Sequence, residues 1–398
     1  MGDSNWKEYR LGDIGRIVTG KTPPTAEPEN YGGILPFITP SDMKGQKYID
    51  VTERTISAIG VKYIKNLLVP PKTVFVSCIG SDMGKVGVTK VESVTNQQIN
   101  SIIVNEGIES DYVYYNLCSR KDELQRLATS GSAQPILNKG HFSQLKITIP
   151  SPPEQKAIAS ILGALDDKIE LNREMNETLE AMARAIFKSW FVDFDSIPGL
   201  GPHKEWQDSP LGKIPKGWRV ETIGNVIELA YGKSLKEELR QPGKIPVYGS
   251  NGQVGWHNEK LVDGPGIVVG RKGNPGIVTW VSTDFYPIDT TFYVVPKGII
   301  KSMHYILHAL KLQDLPSLGA DSAVPGLNRN MAYMNTMIVP PEDVIAFFDK
   351  QVKTLSEVVN HNNEESRTLA SIRDTLLPKL LSGEIRVKDA ERFVGESL

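Results

Sequence analysis

The chain has 398 residues, of which 40% are hydrophobic and 23% are charged, and its formal net charge is −2. This composition is typical of a globular protein and argues against a strongly basic nucleic-acid binder, while the length predicts two domains. No apolar run reaches the roughly 20 residues that span a membrane, and the N-terminus has no apolar signal core. Cys78 and Cys118 lie in ordinary hydrophobic patterns. We therefore predict a soluble, cytoplasmic protein with reduced thiols, no metal site and no membrane partner.

Charge is distributed unevenly along the chain. Counting Lys and Arg against Asp and Glu, residues 1–150 carry +2, residues 151–216 carry −3, residues 217–340 carry +2 and residues 341–398 carry −3. This alternation indicates that the chain is built from two similar halves.

The two halves share motifs at constant spacing. Each opens with a Trp, two Gly and a Lys that recur 212 residues later: Trp6, Gly12, Gly20 and Lys21, then Trp218, Gly224, Gly232 and Lys233. Near the end of each half, QPILNKG (residues 134–140) is matched by VPGLNRN (residues 324–330) at an offset of 190. The sequence therefore predicts an internal repeat.

The segment GRIVTGKT, residues 15–22, has the letters of a phosphate-binding loop. Such a loop follows a buried strand and opens a helix, whereas Lys21 and Thr22 lead into PPTAEPENYGG, which cannot form a helix. The second half has Ile227 where the motif requires its first glycine. We therefore do not expect this segment to bind a nucleotide.

Within each half, short β-rich runs are mixed with helical ones. Four runs rich in β-branched and aromatic residues predict strands: residues 73–80, 266–273, 277–281 and 291–296. Residues 111–128 and 303–311 predict helices. Each half is therefore expected to be an α+β domain.

A heptad pattern follows each half. In residues 158–190 and 348–380, the seam positions alternate four and three residues apart, which predicts two long helices packed as an antiparallel coiled coil. Asn172 and Asn362 interrupt the two seams at matching heights. We predict that they pair and fix the register; the alternative is that the seam thins toward solvent there. Asp166 and Asp167 are expected on the solvated side.

These patterns divide the chain into six segments. The predicted α+β domains are residues 1–151 and 217–340, and each is followed by a coiled-coil helix, residues 152–195 and 341–383. The Pro- and Gly-rich residues 196–216 predict a linker, and residues 384–398 a tail.

The patterns of common DNA-modifying enzymes are missing from the sequence. A base-amino methyltransferase needs an Asn/Asp-Pro-Pro-aromatic loop, but the Pro-Pro pairs are followed by Thr25, Lys72, Glu154 and Glu342. No carboxylate cluster with a nearby lysine, as in a nuclease metal site, recurs in the two halves. We therefore predict a chain with no catalytic, cofactor-binding or metal-binding residues of its own.

Polar loop residues remain as candidates for contacts with DNA. Gln and Asn can pair with adenine edges, and Arg and Lys with guanine. The candidates in the first half are Lys21, Ser81, Lys85, Gln97, Gln98, Asn100, Ser132, Gln134 and Lys139. The candidates in the second half are Lys233, Ser250, Asn251, Arg271, Lys272, Asn274, Ser322, Asn328 and Arg329. The alternative for each residue is an exposed turn position without a DNA contact.

Two strings carry a family resemblance. RDTLLPKLLSGEIRV (residues 373–387) and NREMNETLEAMARAIFKSWFVDFD (residues 172–195), with the two halves led by Trp, Gly and Gly-Lys, resemble the specificity subunits of type I restriction-modification systems. The matches span nearly the whole chain.

The resemblance implies a function and partners. It implies two target-recognition domains that each read one half of an asymmetric, bipartite sequence in double-stranded DNA, with the helices as a spacer that docks modification subunits. It also implies that the modification subunits carry an adenine methyltransferase with S-adenosylmethionine, and that restriction subunits use ATP and Mg²⁺ for translocation and cleavage. A helix over residues 154–191 would be about 55 Å long, more than the roughly 34 Å of one DNA turn, which suits a spacer.

Two other classes of protein are alternatives. A stand-alone DNA-binding protein or repressor is expected to be more basic, and the acidic helical segments argue against it. An ATPase or methyltransferase is expected to bind nucleotide or S-adenosylmethionine in isolation.

Overall fold

The computed structural model describes residues 6–80, 82–128, 136–319 and 326–397. The chain forms two compact units. The first unit joins residues 1–173 to residues 364–398, and the second unit consists of residues 174–363.

Small sheets and short helices make up the body of the first unit. Its strands are β1 Lys7–Arg10, β2 Gly15–Thr19, β3 Tyr31–Ile38, β4 Thr55–Ile56, β5 Val74–Ser77, β6 Val86–Val88, β7 Val94–Thr95, β8 Ile99–Val104 and β9 Lys146–Ile149. Its short helices are α1 Leu11–Ile14, α2 Ser110–Cys118, α3 Lys121–Ala128 and α4 Lys139–Gln144, with 3₁₀ turns at Pro28–Asn30, Gly60–Tyr63 and Lys65–Leu67. The long helix α5, Pro152–Phe191, begins in this unit and continues into the second.

The second unit is built in the same way. Its strands are β10 Trp206–Ser209, β11 Gly212–Pro215, β12 Arg219–Thr222, β13 Ile227–Tyr231, β14 Ile245–Gly249, β15 Gly252–His257, β16 Gly266–Gly270, β17 Val278–Val281, β18 Tyr286–Pro287, β19 Thr291–Pro296 and β20 Thr336–Val339. Its short helices are α6 Ile223–Val226, α7 Met303–Lys311 and α8 Arg329–Met334, with 3₁₀ turns at Glu237–Leu239 and Leu315–Gly319. The long helix α9, Glu342–Leu381, returns to the first unit, which also contains α10, Val387–Ser397.

The strand order of the two units is the same. The sheet β2-β8-β5-β6 corresponds to β13-β19-β16-β17, and the sheet β4-β3-β7 corresponds to β15-β14-β18. In both three-stranded sheets the central strand has one antiparallel and one parallel neighbour. The pair β1-β9 likewise corresponds to β12-β20. The predicted internal repeat and the α+β fold class are confirmed.

One pair of repeated glycines has a steric reason. A Cβ on Gly20 would lie 2.0 Å from the carbonyl oxygen of Thr95, and a Cβ on Gly232 would lie 2.2 Å from that of Ile288. These separations are far below van der Waals contact, so no other residue fits at either position without moving the backbone opposite. The segment GRIVTGKT itself is strand β2 followed by irregular chain.

The long helices pack against each other in each unit. In the first unit, Asp166 of α5 contacts Arg373 of α9, and Asn172 contacts Ser366. Residue numbers rise along one helix as they fall along the other, so the two helices run antiparallel. In the second unit, the ring centroids of Trp190 and Phe347 are 5.6 Å apart. The predicted antiparallel packing is confirmed.

The seam positions face the protein interior along both helices. Leu162, Leu165, Leu376 and Leu380 are buried in the first unit, because the apolar stripe of each helix covers the core beneath the sheets. The expectation for Asp166 was wrong. Its side chain is buried against Arg373, whereas Asp167 is exposed as expected.

The two seam asparagines are buried and hydrogen-bonded to the facing helix. The Nδ2 of Asn172 donates to Glu365 Oε2 at 2.8 Å, and the Nδ2 of Asn362 donates to Asn176 Oδ1 at 2.9 Å. Asn176 in turn donates to Asn363 Oδ1 at 2.9 Å. Polar groups therefore fill the middle of each seam. The direct pairing of Asn172 with Asn362 stays a prediction.

Aromatic residues dominate the core of the second unit. Phe191 of α5 lies edge-on to Tyr305 of α7 and to Phe348 of α9, with centroid separations of 4.9 and 5.2 Å. The segment predicted as a linker contains the hairpin β10-β11, and Trp206 of β10 packs against Phe194 at 5.8 Å. Stacked and edge-on rings bury large apolar areas, so these contacts stabilise the helix ends in this unit.

Candidate nucleic-acid interface

A short polar loop follows the parallel-paired strand in each unit. The first polar loop is residues 96–98, between β7 and β8, and the second polar loop is residues 288–290, between β18 and β19. The amide of Lys21 donates to the carbonyl oxygen of Thr95 at 3.0 Å. The amide of Lys233 donates to that of Pro287 at 3.1 Å. Each polar loop therefore lies beside the Gly-Lys pair of its own half.

The other side of each loop is held by a second matched set of hydrogen bonds. The amide of Cys78 donates to Gln98 at 2.8 Å, and the amide of Arg271 donates to Thr290 at 2.9 Å. We call the backbone hydrogen bonds around each polar loop the backbone frame. Two further bonds of 2.9 Å join it to the segment before α4 or α8: the amide of Leu137 donates to the carbonyl oxygen of Cys78, and the amide of Leu327 to that of Arg271. The backbone frame is the same in both units, whereas the side chains on it differ.

Asn100 is part of the interior of the first unit. It lies in strand β8 and is 2% exposed, so the expectation that it is a loop residue was wrong. Its Oδ1 accepts from the Thr19 hydroxyl at 2.6 Å, and its Nδ2 donates to the carbonyl oxygen of Leu137 at 3.0 Å and contacts the Cys78 sulfur at 3.2 Å. In this arrangement Asn100 braces the frame from inside.

Other candidates of the first unit lie at the surface of the same frame. Lys21 and Gln97 are exposed, and Gln97 Oε1 accepts from the Thr22 hydroxyl at 2.8 Å. Gln98 is half-buried and accepts from Asn96 Nδ2 at 3.0 Å. The structure therefore brings these candidates together around the first polar loop.

Two lysines of the first unit have separate settings. Lys85 is half-buried and forms an ion pair with Asp82 at 2.8 Å. Lys139 is exposed at the first position of α4, where Asn138 caps the helix by accepting from the amide of His141 at 2.9 Å. The helix dipole does not stabilise a cation at the beginning of a helix, so Lys139 contributes no stability to α4 through its charge.

Five candidates of the second unit meet beside the second polar loop. The amides of Arg271 and Lys272 both donate to the carbonyl oxygen of Thr290, and the Ser250 hydroxyl donates to the same atom at 2.5 Å. Asn274 Nδ2 donates to Asn251 Oδ1 at 2.6 Å. Ser250 is buried by its contact, whereas Asn251, Lys272 and Asn274 are exposed.

A cluster of arginine and aromatic side chains lies at the end of β13. The guanidinium carbon of Arg271 is 4.9 Å from the ring centroid of Tyr231 and 5.9 Å from that of Phe292. The guanidinium carbon of Arg329 is 4.8 Å from the centroid of Tyr231. Tyr231 was not predicted, although an aromatic residue directly before the repeated Gly-Lys pair, where the first half has Thr19, was a readable signal.

Two other candidates of the second unit have simple structural settings. Lys233 is exposed beside its backbone contact with Pro287. Asn328 caps α8, because its Oδ1 accepts from the amides of Asn330 and Met331 at 3.0 and 3.3 Å. This role in the helix cap explains why Asn recurs at this point of both halves.

Four candidates lie outside the described residues: Ser81, Ser132, Gln134 and Ser322. Three of them fall in the segments 129–135 and 320–325, which directly precede the matched contacts of Leu137 and Leu327.

The described residues contain neither a group of side chains that could bind a metal ion nor a reactive cysteine thiolate. Within residues 6–80, 82–128, 136–319 and 326–397, no three His, Cys, Asp or Glu side chains lie close enough to hold a metal ion. Burial raises the pKa of Cys78 to about 11 and that of Cys118 to about 12, so both thiols stay protonated at neutral pH. None of the described helices is both long and apolar enough to cross a bilayer.

A family model supplies the decisive match. The model of the type I restriction modification DNA specificity domain matches residues 3–181 and residues 215–369, one range for each repeated half. The chain belongs to this family of type I specificity proteins.

Relatives in this family align along almost the full chain. The specificity subunit of type I restriction enzyme MjaIX from Methanocaldococcus jannaschii is 29% identical over 412 residues, which covers 97% of this chain and 94% of the relative. The specificity subunit of type I restriction enzyme HindI from Haemophilus influenzae is 24% identical, covering 96% of this chain and all of the relative. These names confirm the prediction of a specificity subunit in place of a catalytic chain.

A solved structure shares the fold. The S subunit of a type I restriction-modification system from M. genitalium matches with a TM-score of 0.57 and 19% identity, covering 96% of this chain and 97% of that chain. The resemblance to type I specificity subunits is therefore confirmed in both sequence and fold. As a specificity subunit, the chain serves DNA recognition within a larger assembly.

Proposed function

We propose that each unit of this type I specificity subunit reads one half of an asymmetric, bipartite target in double-stranded DNA. The observation that carries the proposal is the shared backbone frame with different side chains on it. Gln97 of the first polar loop corresponds to Asp289 of the second, and Cys78 corresponds to Arg271. Base edges are distinguished by donor and acceptor pattern, so different side chains at equivalent positions select different bases.

The proposed recognition domains are residues 1–151 and residues 217–340. The helices of residues 152–195 and 341–383 act as a spacer between them and as the docking site for modification subunits, with residues 196–216 as the connection and residues 384–398 as the tail. Within these segments, α5 and α9 have 40 residues each, which corresponds to about 60 Å of helix, longer than one DNA turn of roughly 34 Å.

The catalytic steps belong to partner subunits in this proposal. Modification subunits methylate adenine with S-adenosylmethionine, and restriction subunits use ATP and Mg²⁺. This division of roles agrees with the near-neutral charge of the chain, because partner subunits can supply the phosphate contacts that dominate affinity for DNA.

The test is long-read methylome sequencing of hosts that express this chain, its modification subunit, or both. Adenine methylation at a split, asymmetric motif only in the host with both proteins is the expected result. Methylation by this chain alone would make it an enzyme and overturn the proposal. If none of the three hosts shows methylation and the purified complex also fails to bind DNA, the proposed recognition role is wrong.

A further inference from the structure

Two arginines of the second unit share one aromatic ring. Their guanidinium carbons lie 4.9 and 4.8 Å from the centroid of Tyr231, so Arg271 and Arg329 are no more than about 9.7 Å apart. Tyr231 is 49% exposed, which places the cluster at the surface of the unit. Neither arginine has a carboxylate within 4.0 Å in the part of the chain that the structure describes.

Within the part of the chain that the structure describes, this arrangement leaves hydrogen-bonding capacity of Arg271 free. An arginine has five N–H donors. Among the described residues the Arg271 side chain makes one hydrogen bond, from Nη1 to the carbonyl oxygen of Asp289 at 2.9 Å. The face of the tyrosine ring offsets part of the repulsion between the two cations and orients the planar guanidinium, but it offers no hydrogen-bond acceptor in the guanidinium plane.

The same place in the first unit has no such cluster. The positions of Tyr231, Arg271 and Phe292 correspond to Thr19, Cys78 and Asn100, which form a neutral, hydrogen-bonded network. The positive charge of Arg271 is therefore specific to the second unit and is not needed to build the frame.

The surroundings favour a base edge over a phosphate as the acceptor. The carbonyl that Arg271 contacts belongs to Asp289, whose side chain is exposed. A carboxylate at this point repels a phosphate, whereas it can accept from the amino group of cytosine while arginine donates to O6 and N7 of guanine. The oriented guanidinium also matches the two acceptors of guanine, which a phosphate contact does not require.

We propose that Arg271 reads a guanine in the half-site of the second unit, with the ring of Tyr231 holding its guanidinium in position. The proposal rests on the proposed function, because it names the chemistry with which one unit recognises DNA. Arg271 is the base-contacting residue, and Tyr231 is a positioning residue.

The test uses the complex of this chain with its modification subunit and duplexes that carry the target found by methylome sequencing. Each guanine of the target is replaced in turn by 7-deazaguanine, which lacks the N7 acceptor, and affinity is measured by fluorescence anisotropy. At one guanine the unaltered complex is expected to bind roughly 5- to 150-fold more weakly after replacement. The variant Arg271→Gln is expected to bind the two duplexes equally.

Four variants separate base reading from structural roles. Lys272→Gln removes an adjacent exposed charge and is expected to keep the response to 7-deazaguanine. Arg271→Lys keeps the charge but loses the planar fork, so it is expected to weaken the response while keeping the salt dependence. Tyr231→Phe is expected to keep the response, and Tyr231→Leu to weaken it.

Two results would overturn the inference while leaving the proposed function intact. The exchange of residues 217–340 identifies the half-site that the second unit reads. The first such result is that this half-site contains no guanine. The other is a uniform loss of affinity by Arg271→Gln on every duplex, with a salt slope reduced by about 1, which would identify a phosphate contact. Failure of the unaltered complex to bind its methylated motif would instead count against the proposed function.

Discussion

Asp166 of α5 accepts a hydrogen bond from Nη1 of Arg373 on α9 at 2.6 Å. Its other carboxylate oxygen accepts from the Tyr115 hydroxyl, also at 2.6 Å. Burial and the Asp166 carboxylate raise the pKa of Tyr115, so the hydroxyl keeps its proton and remains a donor. Both oxygens of this buried acid are satisfied, and the contact fixes the register of the two helices within the first unit.

Breaking this contact is expected to destabilise the first unit. The variant Arg373→Met leaves a buried carboxylate without its cation and should lower the free energy of unfolding by about 3 to 5 kcal/mol. The double variant Asp166→Leu with Arg373→Met removes both charges and should recover part of that loss, because it also leaves the buried Tyr115 hydroxyl without its acceptor. Urea denaturation measures both effects, with the exposed Lys156→Met as a control expected to change stability by less than about 0.5 kcal/mol. Equal losses in the single and double variants would contradict the role of the pair.

Acid is expected to destabilise the second unit through His308. This residue of α7 is buried and stacks on Phe187 with a centroid separation of 5.5 Å. Burial, followed by electrostatic repulsion from Lys311, His304 and Arg184, lowers the pKa of His308 to about 4. The unfolded chain therefore binds a proton more readily, and the stabilisation is present above the unfolded pKa of about 6.5 and lost as the pH falls toward 4.

The measurement is the free energy of unfolding at pH 7 and pH 5. We expect His308 to account for a decrease on the order of 2 kcal/mol in the free energy of unfolding between pH 7 and pH 5. This decrease should be absent in His308→Gln. The exposed His361→Gln is a matched control on α9 and should follow the unaltered protein. An unchanged pH dependence in His308→Gln would show that the acid sensitivity lies elsewhere.

The spacing of the two half-sites is expected to depend on helix length. Inserting one heptad into α5 and another into α9 at the facing Asn176 and Asn362 preserves the seam and adds about 10.5 Å to each helix, close to three base pairs. Methylome sequencing should then show an altered spacer with the bases of each half-site unchanged. A spacer of the original length would rule out the role of the helices as a ruler.

Recognition is expected to be modular. Replacing residues 217–340 with the corresponding domain of another family member should change one half of the methylated motif and leave the other half as it was. The reason is that the second polar loop, Arg271 and Arg329 all belong to that segment, and their backbone contacts are made within it. Changes in both halves of the motif would argue against separate reading by the two units.

Much of the fold could be predicted because it depends on periodicity and repetition. The seam positions of α5 and α9 follow from heptad spacing, and the matched halves follow from shared Trp, Gly and Lys positions. Burial of individual polar residues could not be predicted in the same way. Asp166 is drawn inward by Arg373, and Asn100 by Thr19 and Leu137, which are distant in sequence.

The sequence predicted which polar residues lie near one another better than it predicted the setting of each residue. Five candidates of the second unit meet around Thr290 and Asn251, but the sequence offers no sign that Ser250 is buried or that Asn328 is needed as a cap. Tyr231 was missed although it directly precedes the repeated Gly-Lys pair, because the two arginines that contact its ring are 40 and 98 residues away in the chain.

The matched backbone frame has an evolutionary consequence. Main-chain hydrogen bonds hold both polar loops, so the frame accepts Cys78 in one unit and Arg271 in the other. The side chain at such a position can therefore differ while the backbone hydrogen bonds of the frame stay the same, whereas Gly20 and Gly232 tolerate no side chain. Under the proposed function, a change of side chain on this frame would give the protein a new DNA target without a new fold.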